Sequence, residues 1–407
     1  MTSGKRPADS NDVTRSSERV EHRVWAEIDL GSLVRNVDQV AGLLHPEGQL
    51  LVVLKADGYG HGAVPVSRAL LDHPRVWGFG VGDSTEALEI IAAEISAPVL
   101  ILGTIIENEV PQVVSHDIRV CIHSMDRIRS LEAEARRQGR RVKVHVMVDT
   151  GMGRLGAQIP RAKELARVVA ESDVLVLEGL GTHPSSSRPG HPFTAVQLKR
   201  LETMRQELAT LGIVPPLVHF SNTAALLEGT GVDLPLARPG ISLYGILTGG
   251  LNPSSPFEPI MSLRTQVVYL KDMPAGSPVG YNGTYVTARP ARIATLPVGY
   301  NDGLAYRLSN RGRCLIRGRS APIVGAISMD YTTVDVSHIP GVSVGDTVTL
   351  IGDDGDQTIT MAEIASMAGT IPYEIACSVG KRVRRVYHRP SKSQEPSATT
   401  SQDVTLP

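Results

Sequence analysis

The sequence predicts an α/β protein: a (β/α)8 barrel of the TIM type followed by a mainly antiparallel β domain. Three observations carry that expectation. Eight short apolar runs alternate with helix-like segments over roughly 220 residues, the arithmetic of eight βα units. Most of the runs are continuous rather than alternating, as strands covered on both faces of a parallel sheet must be. From about Pro256 onward the texture changes to short strands joined by Pro and Gly turns.

In chain order the runs are Leu50–Leu54, Val76–Val81, Val99–Leu102, Ile118–Ile122, Val142–Val148, Val174–Leu180, Leu217–Phe220 and a weaker one at Leu234–Leu236. Between them, Val64–Leu71, Ser84–Glu94, Ile128–Arg137 and Arg161–Glu171 carry apolar residues at three- and four-residue spacing, and Phe193–Leu211 stops at Gly212, an ordinary helix end. An open doubly wound sheet would use fewer strands. Beyond the barrel, Ser262–Tyr269, Arg292–Leu296, Pro322–Ile327 and Thr347–Ile351 read as strands and Met361–Ala368 as a short helix. The expected partition is a disordered tail at 1–22, a barrel at 23–255, a β domain at 256–389 and a second disordered tail at 390–407. Both tails have too few large apolar residues to offset the entropy of ordering.

Composition narrows the function. The 407 residues carry 41 basic and 42 acidic side chains, so no excess of positive charge points to nucleic acid. No apolar stretch approaches the roughly 20 residues of a membrane helix. Three widely separated cysteines, Cys121, Cys314 and Cys377, suggest neither a disulfide framework nor a metal site. The first residues lack the apolar core of a secretory signal. The expectation is a cytoplasmic enzyme acting on a small molecule.

Side chains at the C-terminal ends of barrel strands face the catalytic mouth. Lys55 stands there, at the end of LLVVLKADGYGHG. An amine emerging from an apolar wall can lose its charge and act as a nucleophile or base; a strand-end lysine reaching solvent has the same local sequence. Other strand ends supply Asp149–Arg154, Thr182–His183, His219–Thr223 and Arg238–Ile241. The loops after strands seven and eight often build a phosphate site from backbone amides and small hydroxyls. Asn222, Thr223, Gly240 and Ile241 are placed for that task, so a phosphate-bearing ligand is expected near a lysine.

The motifs VLKADGYGHG, VDTGMGRLG, FSNTAA, ARPGISLYG, PVGYNGTY, PVGYNDG, ISMDYTTVDV and TIPYEIACSVGKRVRRVY occur in this order from about Val24 to Tyr387. In them the chain resembles the alanine racemases, pyridoxal-phosphate enzymes built from a barrel and a C-terminal β domain. The resemblance implies that Lys55 holds pyridoxal 5'-phosphate covalently and serves as base on one face of the substrate. It implies that Tyr281, supplied by the other subunit, serves on the opposite face. A phenol is a weak base at neutral pH, so His183 and Arg238 would favour its ionised form. Arg238 would also face the cofactor's ring nitrogen. Tyr59, Thr223, Gly240, Ile241 and Tyr373 would hold the phosphate. Arg154 and the partner's Met329 would hold the substrate carboxylate, and Tyr300 and Tyr373 would narrow the entrance. A homodimer with shared sites follows, as does a role in supplying D-alanine for peptidoglycan.

The chain departs from the family pattern at Met147, where many members carry a carbamylated lysine that orients the neighbouring arginine. The loop after His183 is less acidic than usual, and Ser328 replaces a common cysteine before Met329. These departures keep a broad-specificity racemase in view. A pyridoxal-phosphate decarboxylase would need a cysteine and acidic residues near the substrate, and a non-catalytic pyridoxal-phosphate-binding protein would ordinarily be a lone barrel.

Overall fold

The computed structural model describes residues 22–186, 189–247 and 255–388. Apart from His22, both stretches read as disordered tails, 1–22 and 390–407, lie outside the described residues. Eight parallel strands close a barrel: β2 (Gln49–Val53), β3 (Val76–Val81), β4 (Val99–Ile101), β5 (Arg119–Ile122), β6 (Val142–Met147), β7 (Leu175–Gly181), β8 (Leu217–His219) and β9 (Leu236–Ala237). Seven of the eight apolar runs coincide with strands, the weaker eighth, Leu234–Leu236, meets its strand only at Leu236, and the five helix-like segments are helices within a few residues of their expected ends.

The strands run continuously apolar because each face meets a different layer. Leu50, Val52, Val120, Val144 and Val146 pack outward in the main core. Leu51, Leu100, Cys121, Met147 and Leu236 form a separate cluster within the barrel. Strand β7 places Gly179 and Gly181 where a Cβ would overlap the rings of His145 and His219. Those two glycines make room for two buried imidazoles inside the barrel.

A second sheet runs in the order Arg319–Pro322, Arg313–Ile316, Thr347–Asp354, β10 (Met261–Gln266), β1 (Val24–Asp29), Arg384–His388. Every neighbouring pair is antiparallel except β1 with Arg384–His388. A three-stranded sheet of Tyr269–Met273, Ala291–Leu296 and Thr332–Asp335 lies beside it.

Three expectations are corrected. Strand β1 falls on the barrel side of the expected boundary at 255, yet it belongs to the second sheet. Its alternating burial, with Val24, Ala26 and Ile28 inside, suits a sheet exposed on one face rather than a barrel stave. The run Ser262–Tyr269 divides into β10 and Tyr269–Met273, which lie in different sheets. Pro322–Ile327 is mostly not strand: Arg319–Pro322 pairs, Ile323 makes one isolated bridge, and Gly325 turns the chain at φ +82°.

The domains are joined through the helix Leu30–Ala41, capped by the Asp29 carboxylate, which accepts from the amides of Gly31 and Ser32. On its inner face Asn36 is fully buried. Its amide donates to the carbonyls of Leu243 (3.1 Å) and Glu258 (2.8 Å), and its oxygen accepts from the Glu258 amide at 2.9 Å. Asn36→Ala strands three backbone groups, so a loss of about 2–4 kcal/mol is expected. Urea unfolding of the variant checks this, and a change under about 0.5 kcal/mol would show that water replaces the lost bonds.

Candidate active site

The C-terminal ends of the barrel strands open into a cavity of about 690 Å³. Its lining includes Lys55, Tyr59, Arg154, His183, Asn222, Thr223, Arg238, Gly240, Ile241 and Tyr373. These residues come from five strand ends and, for Tyr373, from the helix Pro372–Cys377 of the β domain. Tyr281 and Met329 do not line this cavity. They lie on the β domain with 70% and 52% of their surface exposed, and Tyr300 is likewise exposed.

Lys55 follows β2 after one residue, Leu54, and opens a left-handed turn. Ala56, Asp57, Gly58 and Tyr59 all have φ between +53° and +61°. Three of them carry a Cβ, which makes this conformation cost on the order of 1 kcal/mol or more for each. The Asp57 carboxylate accepts from the Ala63 amide at 2.7 Å, and Glu86 accepts from the Ala56 amide at 2.6 Å. The Lys55 side chain is open to the cavity but has protein on most sides. That desolvation, joined by the Arg154 charge, lowers its pKa; Cys377 and Glu86 oppose the shift, and Arg238 adds to it.

Tyr59 is buried against Tyr244 and Tyr373, with ring centroids 5.1 and 6.1 Å away. Its hydroxyl approaches Gly240 so closely that a Cβ there would lie 2.5 Å from it. The Thr223 hydroxyl accepts from the Gly240 amide at 3.3 Å and meets the Ser242 hydroxyl at 3.1 Å. Asn222 caps the following short helix through the Ala225 amide and donates to the Ser186 carbonyl. A cluster of hydroxyls and backbone amides thus gathers at the ends of β8 and β9.

Arg238 is buried, and burial lowers its pKa to about 10. It donates to the carbonyls of Thr182 (2.6 Å) and Phe220 (3.0 Å), to His219 Nδ1 at 2.5 Å and to His183 Nδ1 at 3.3 Å. An arginine only donates, so His219 carries its proton on Nε2 and donates to His145 Nδ1 at 2.9 Å. His145 in turn donates from Nε2 to Glu178 at 3.2 Å, and Glu178 is paired with Arg119 at 3.1 Å. Burial would raise the Glu178 pKa, but the bond from His145 and the Arg119 charge outweigh it. His183 is pushed down to about 3 by burial and by the charges of Arg238, Arg154 and Lys55, which keeps it neutral.

Arg154 ends a loop folded around Asp149, whose carboxylate accepts from the amides of Gly151, Met152 and Gly153. Among the described residues its guanidinium has no hydrogen-bond or ion-pair partner. Met147 lines the same cavity.

The family model for the alanine racemase N-terminal domain matches residues 28–248, and that for the C-terminal domain matches residues 260–387. The chain belongs to the alanine racemase family. It is 40% identical to an alanine racemase of Symbiobacterium thermophilum over 365 residues, which cover 89% of this chain and 96% of that protein. An alanine racemase structure from Clostridium difficile superposes with a TM-score of 0.84 at 29% identity, covering 91% of this chain and 97% of that one. Another, from Bartonella henselae with covalently bound pyridoxal phosphate, gives 0.80 at 28% identity, covering 90% and 100%.

Of the twelve catalytic, substrate and cofactor residues expected from the sequence, ten line this one cavity, and Tyr281 and Met329 do not. Sequence reading missed His145, Glu178 and the ordering role of His219. The available signal was polar residues in strand runs: His145 interrupts VKVHVM, and Glu178 sits between the apolar residues and glycines of β7.

The buried imidazoles give a pH prediction. Burial, only partly offset by bonds to the carbonyls of Tyr59 and Gly58, lowers the His61 pKa to about 4, and burial with the Arg238 charge holds His219 well below the ordinary histidine value. An unfolded histidine takes up a proton near pH 6.5, which the folded ones refuse. Each therefore withdraws about 1.4 kcal/mol of stability per pH unit as pH falls from about 6.5 toward its folded value. Unfolding between pH 7 and 5 should become easier and take up protons. A melting temperature that stays level or rises across that interval would contradict this.

Proposed function

We propose that the chain interconverts L- and D-alanine with pyridoxal 5'-phosphate held in this cavity. The observation that carries the reading is electrostatic: Lys55, Arg154 and Arg238 place three basic groups in the lining, and no carboxylate is among the described lining residues. Such a wall suits an occupant bearing a phosphate and a carboxylate. The cluster of Tyr59, Thr223, Gly240 and Ile241 suits the phosphate because hydroxyls and backbone amides gather there at the cavity wall, with the Tyr59 hydroxyl brought so close to residue 240 that only glycine fits.

When bound, pyridoxal phosphate supplies an electron-withdrawing ring that makes the Cα proton of an amino acid removable. Lys55, with its lowered pKa, has more neutral amine at working pH than an exposed lysine. It can hold the cofactor and move a proton on one face. Arg238 offers the ring nitrogen a donor that does not release its proton, which moderates electron withdrawal and disfavours side reactions such as transamination. Arg154 binds the substrate carboxylate, and its lack of a carboxylate partner suits that task. His183, neutral, lies beside Arg238.

The opposite face needs a second base. Tyr281 and Met329 are exposed and do not line their own chain's cavity, which supports their completing the site of a second copy. In that arrangement the phenol of the partner's Tyr281 takes or returns a proton on the other face, and the amide of the partner's Met329 meets the carboxylate. The reading thus requires a homodimer with two shared sites; action in the cytoplasm to supply D-alanine for peptidoglycan is what the family resemblance adds to it.

A second reading, a racemase of broader specificity, is favoured by Met147. Its thioether cannot anchor a guanidinium by charge, so Arg154 has more freedom to adjust to larger substrates.

Purified protein with pyridoxal phosphate is expected to racemise L- and D-alanine far faster than L-serine or L-lysine. Lys55→Ala and Tyr281→Phe should each reduce turnover by at least about a hundredfold, the scale of one general acid–base group. Persistence of turnover in either variant would remove that residue from its role, and comparable rates on all three amino acids would favour the broader racemase. Met147→Lys is expected to raise the preference for alanine over serine; unchanged relative kcat/KM would detach Met147 from specificity.

A further inference from the structure

The left-handed turn that begins at Lys55 is held from outside the barrel. The final strand of the second sheet, Arg384–His388, brings two side chains against it. Arg385 donates twice to the Gly60 carbonyl, from Nε at 3.2 Å and Nη2 at 3.1 Å. Its remaining donors are taken by the carbonyls of Gly380 (2.6 Å), Val383 (2.8 Å) and Val379 (2.8 Å), so the guanidinium is anchored on its own domain. Two residues on, the Tyr387 hydroxyl donates to the His61 carbonyl at 3.1 Å. The approach is close: Gly62, at φ +98°, has no room for a Cβ beside the Tyr387 hydroxyl, and Gly60, at φ +80°, has none beside the Ala376 carbonyl.

Within the turn, the fully buried His61 ring donates from Nδ1 to the carbonyls of Gly58 (3.0 Å) and Tyr59 (2.9 Å). The carbonyls of residues 58–61 therefore meet His61, Arg385 and Tyr387. Consecutive left-handed residues hold only where the surroundings over-determine them. Here part of that determination comes from the other domain.

We propose that Arg385 and Tyr387 are positioning residues, which fix the Lys55–Gly62 turn and thereby the placement of the Lys55 amine and the Tyr59 hydroxyl. This rests on the reading of those two groups as cofactor ligands. Neither Arg385 nor Tyr387 lines the cavity, so they act through the turn. Docking of the β domain and cofactor capture by the barrel are then linked: a strand more than 300 residues from the lysine in sequence sets the lysine's pose.

The test uses the full chain loaded with pyridoxal phosphate. Arg385→Met keeps the side-chain length and removes the donors. It should weaken pyridoxal-phosphate binding about tenfold, as expected for lost charge-assisted bonds. It should also move the pH midpoint of the bound cofactor's visible band by about half a unit or more. Arg385→Lys, with a single donor group, should recover part of both. Tyr387→Phe should weaken binding about threefold. In the holoenzyme, amides 56–62 should exchange faster in both variants while those of 201–208, in a distant helix, stay unchanged.

Parental affinity and an unmoved midpoint in Arg385→Met and Tyr387→Phe would overturn the inference. Should Arg385→Met not fold, the same result in Tyr387→Phe alone would overturn it. Lys55→Ala and Tyr59→Phe separate the two levels. If they also bind with parental affinity, the cofactor reading itself falls; if they lose binding while the strand variants keep it, only the positioning role falls.

Discussion

A cation buried inside the barrel is the constraint to which the site is built. Arg238 keeps its charge there with no carboxylate touching it among the described residues, and an isolated charge in such a place is expensive. Two carbonyls, His219 and His183 take part of its donor set, and the nearest carboxylate along the chain of bonds is Glu178, reached through His219 and His145. Because arginine only donates, every proton in the chain has one direction, from the guanidinium toward the carboxylate. That order fixes both tautomers without an ionised imidazole. It also explains two features of sequence that would otherwise weaken a strand: Gly179 and Gly181 leave the volume that the two rings occupy.

The same constraint divides the barrel into levels. Leu51, Leu100, Cys121, Met147 and Leu236 give its interior an apolar cluster. Beside it runs the polar chain, and at the mouth are the groups of the cavity. The large outward core supplies the hydrophobic stabilisation that this polar interior forgoes. Stability and site chemistry are thus assigned to opposite faces of the same strands, which is why residues of one strand differ so sharply: Val144 and Val146 pack outward while His145 faces inward.

How much of this was legible follows from range. The eight barrel strands could be read because each is a local apolar run between helices, and nine of the ten cavity residues follow strand ends that converge in a barrel, whereas Tyr373, from a helix of the β domain, was indicated only by the family resemblance. Strand β1 could not be assigned by position, since its partners Met261–Gln266 and Arg384–His388 lie far along the chain; its alternating pattern was the sign of a one-sided sheet. The left-handed turn was visible only as glycines in KADGYGHG. Their number suggested tight geometry, but Ala56, Asp57 and Tyr59 adopt the same conformation without being glycine, for reasons that lie in tertiary bonds. The His145–Glu178 bond joins residues on neighbouring strands, and no single motif contains both.

The charge of the cavity bears on the rival chemistries more directly than its size does. Basic or diacid amino acids differ from alanine in a side-chain charge. An extra ammonium would meet Lys55, Arg154 and Arg238 with no carboxylate among the described lining residues to receive it, and like charges in a partly dry cavity repel strongly. An extra carboxylate would find attraction, but it would compete for Arg154, the basic group on the proposed reading that remains free once the phosphate and ring nitrogen are met. A small neutral side chain meets neither problem. Serine shares that neutrality with alanine and differs by one hydroxyl, so charge does not separate them; a pocket that is not built to reject a hydroxyl discriminates weakly. Selection between those two amino acids therefore falls to the cavity wall around Met147 and Arg154 rather than to the polar chain beneath Arg238.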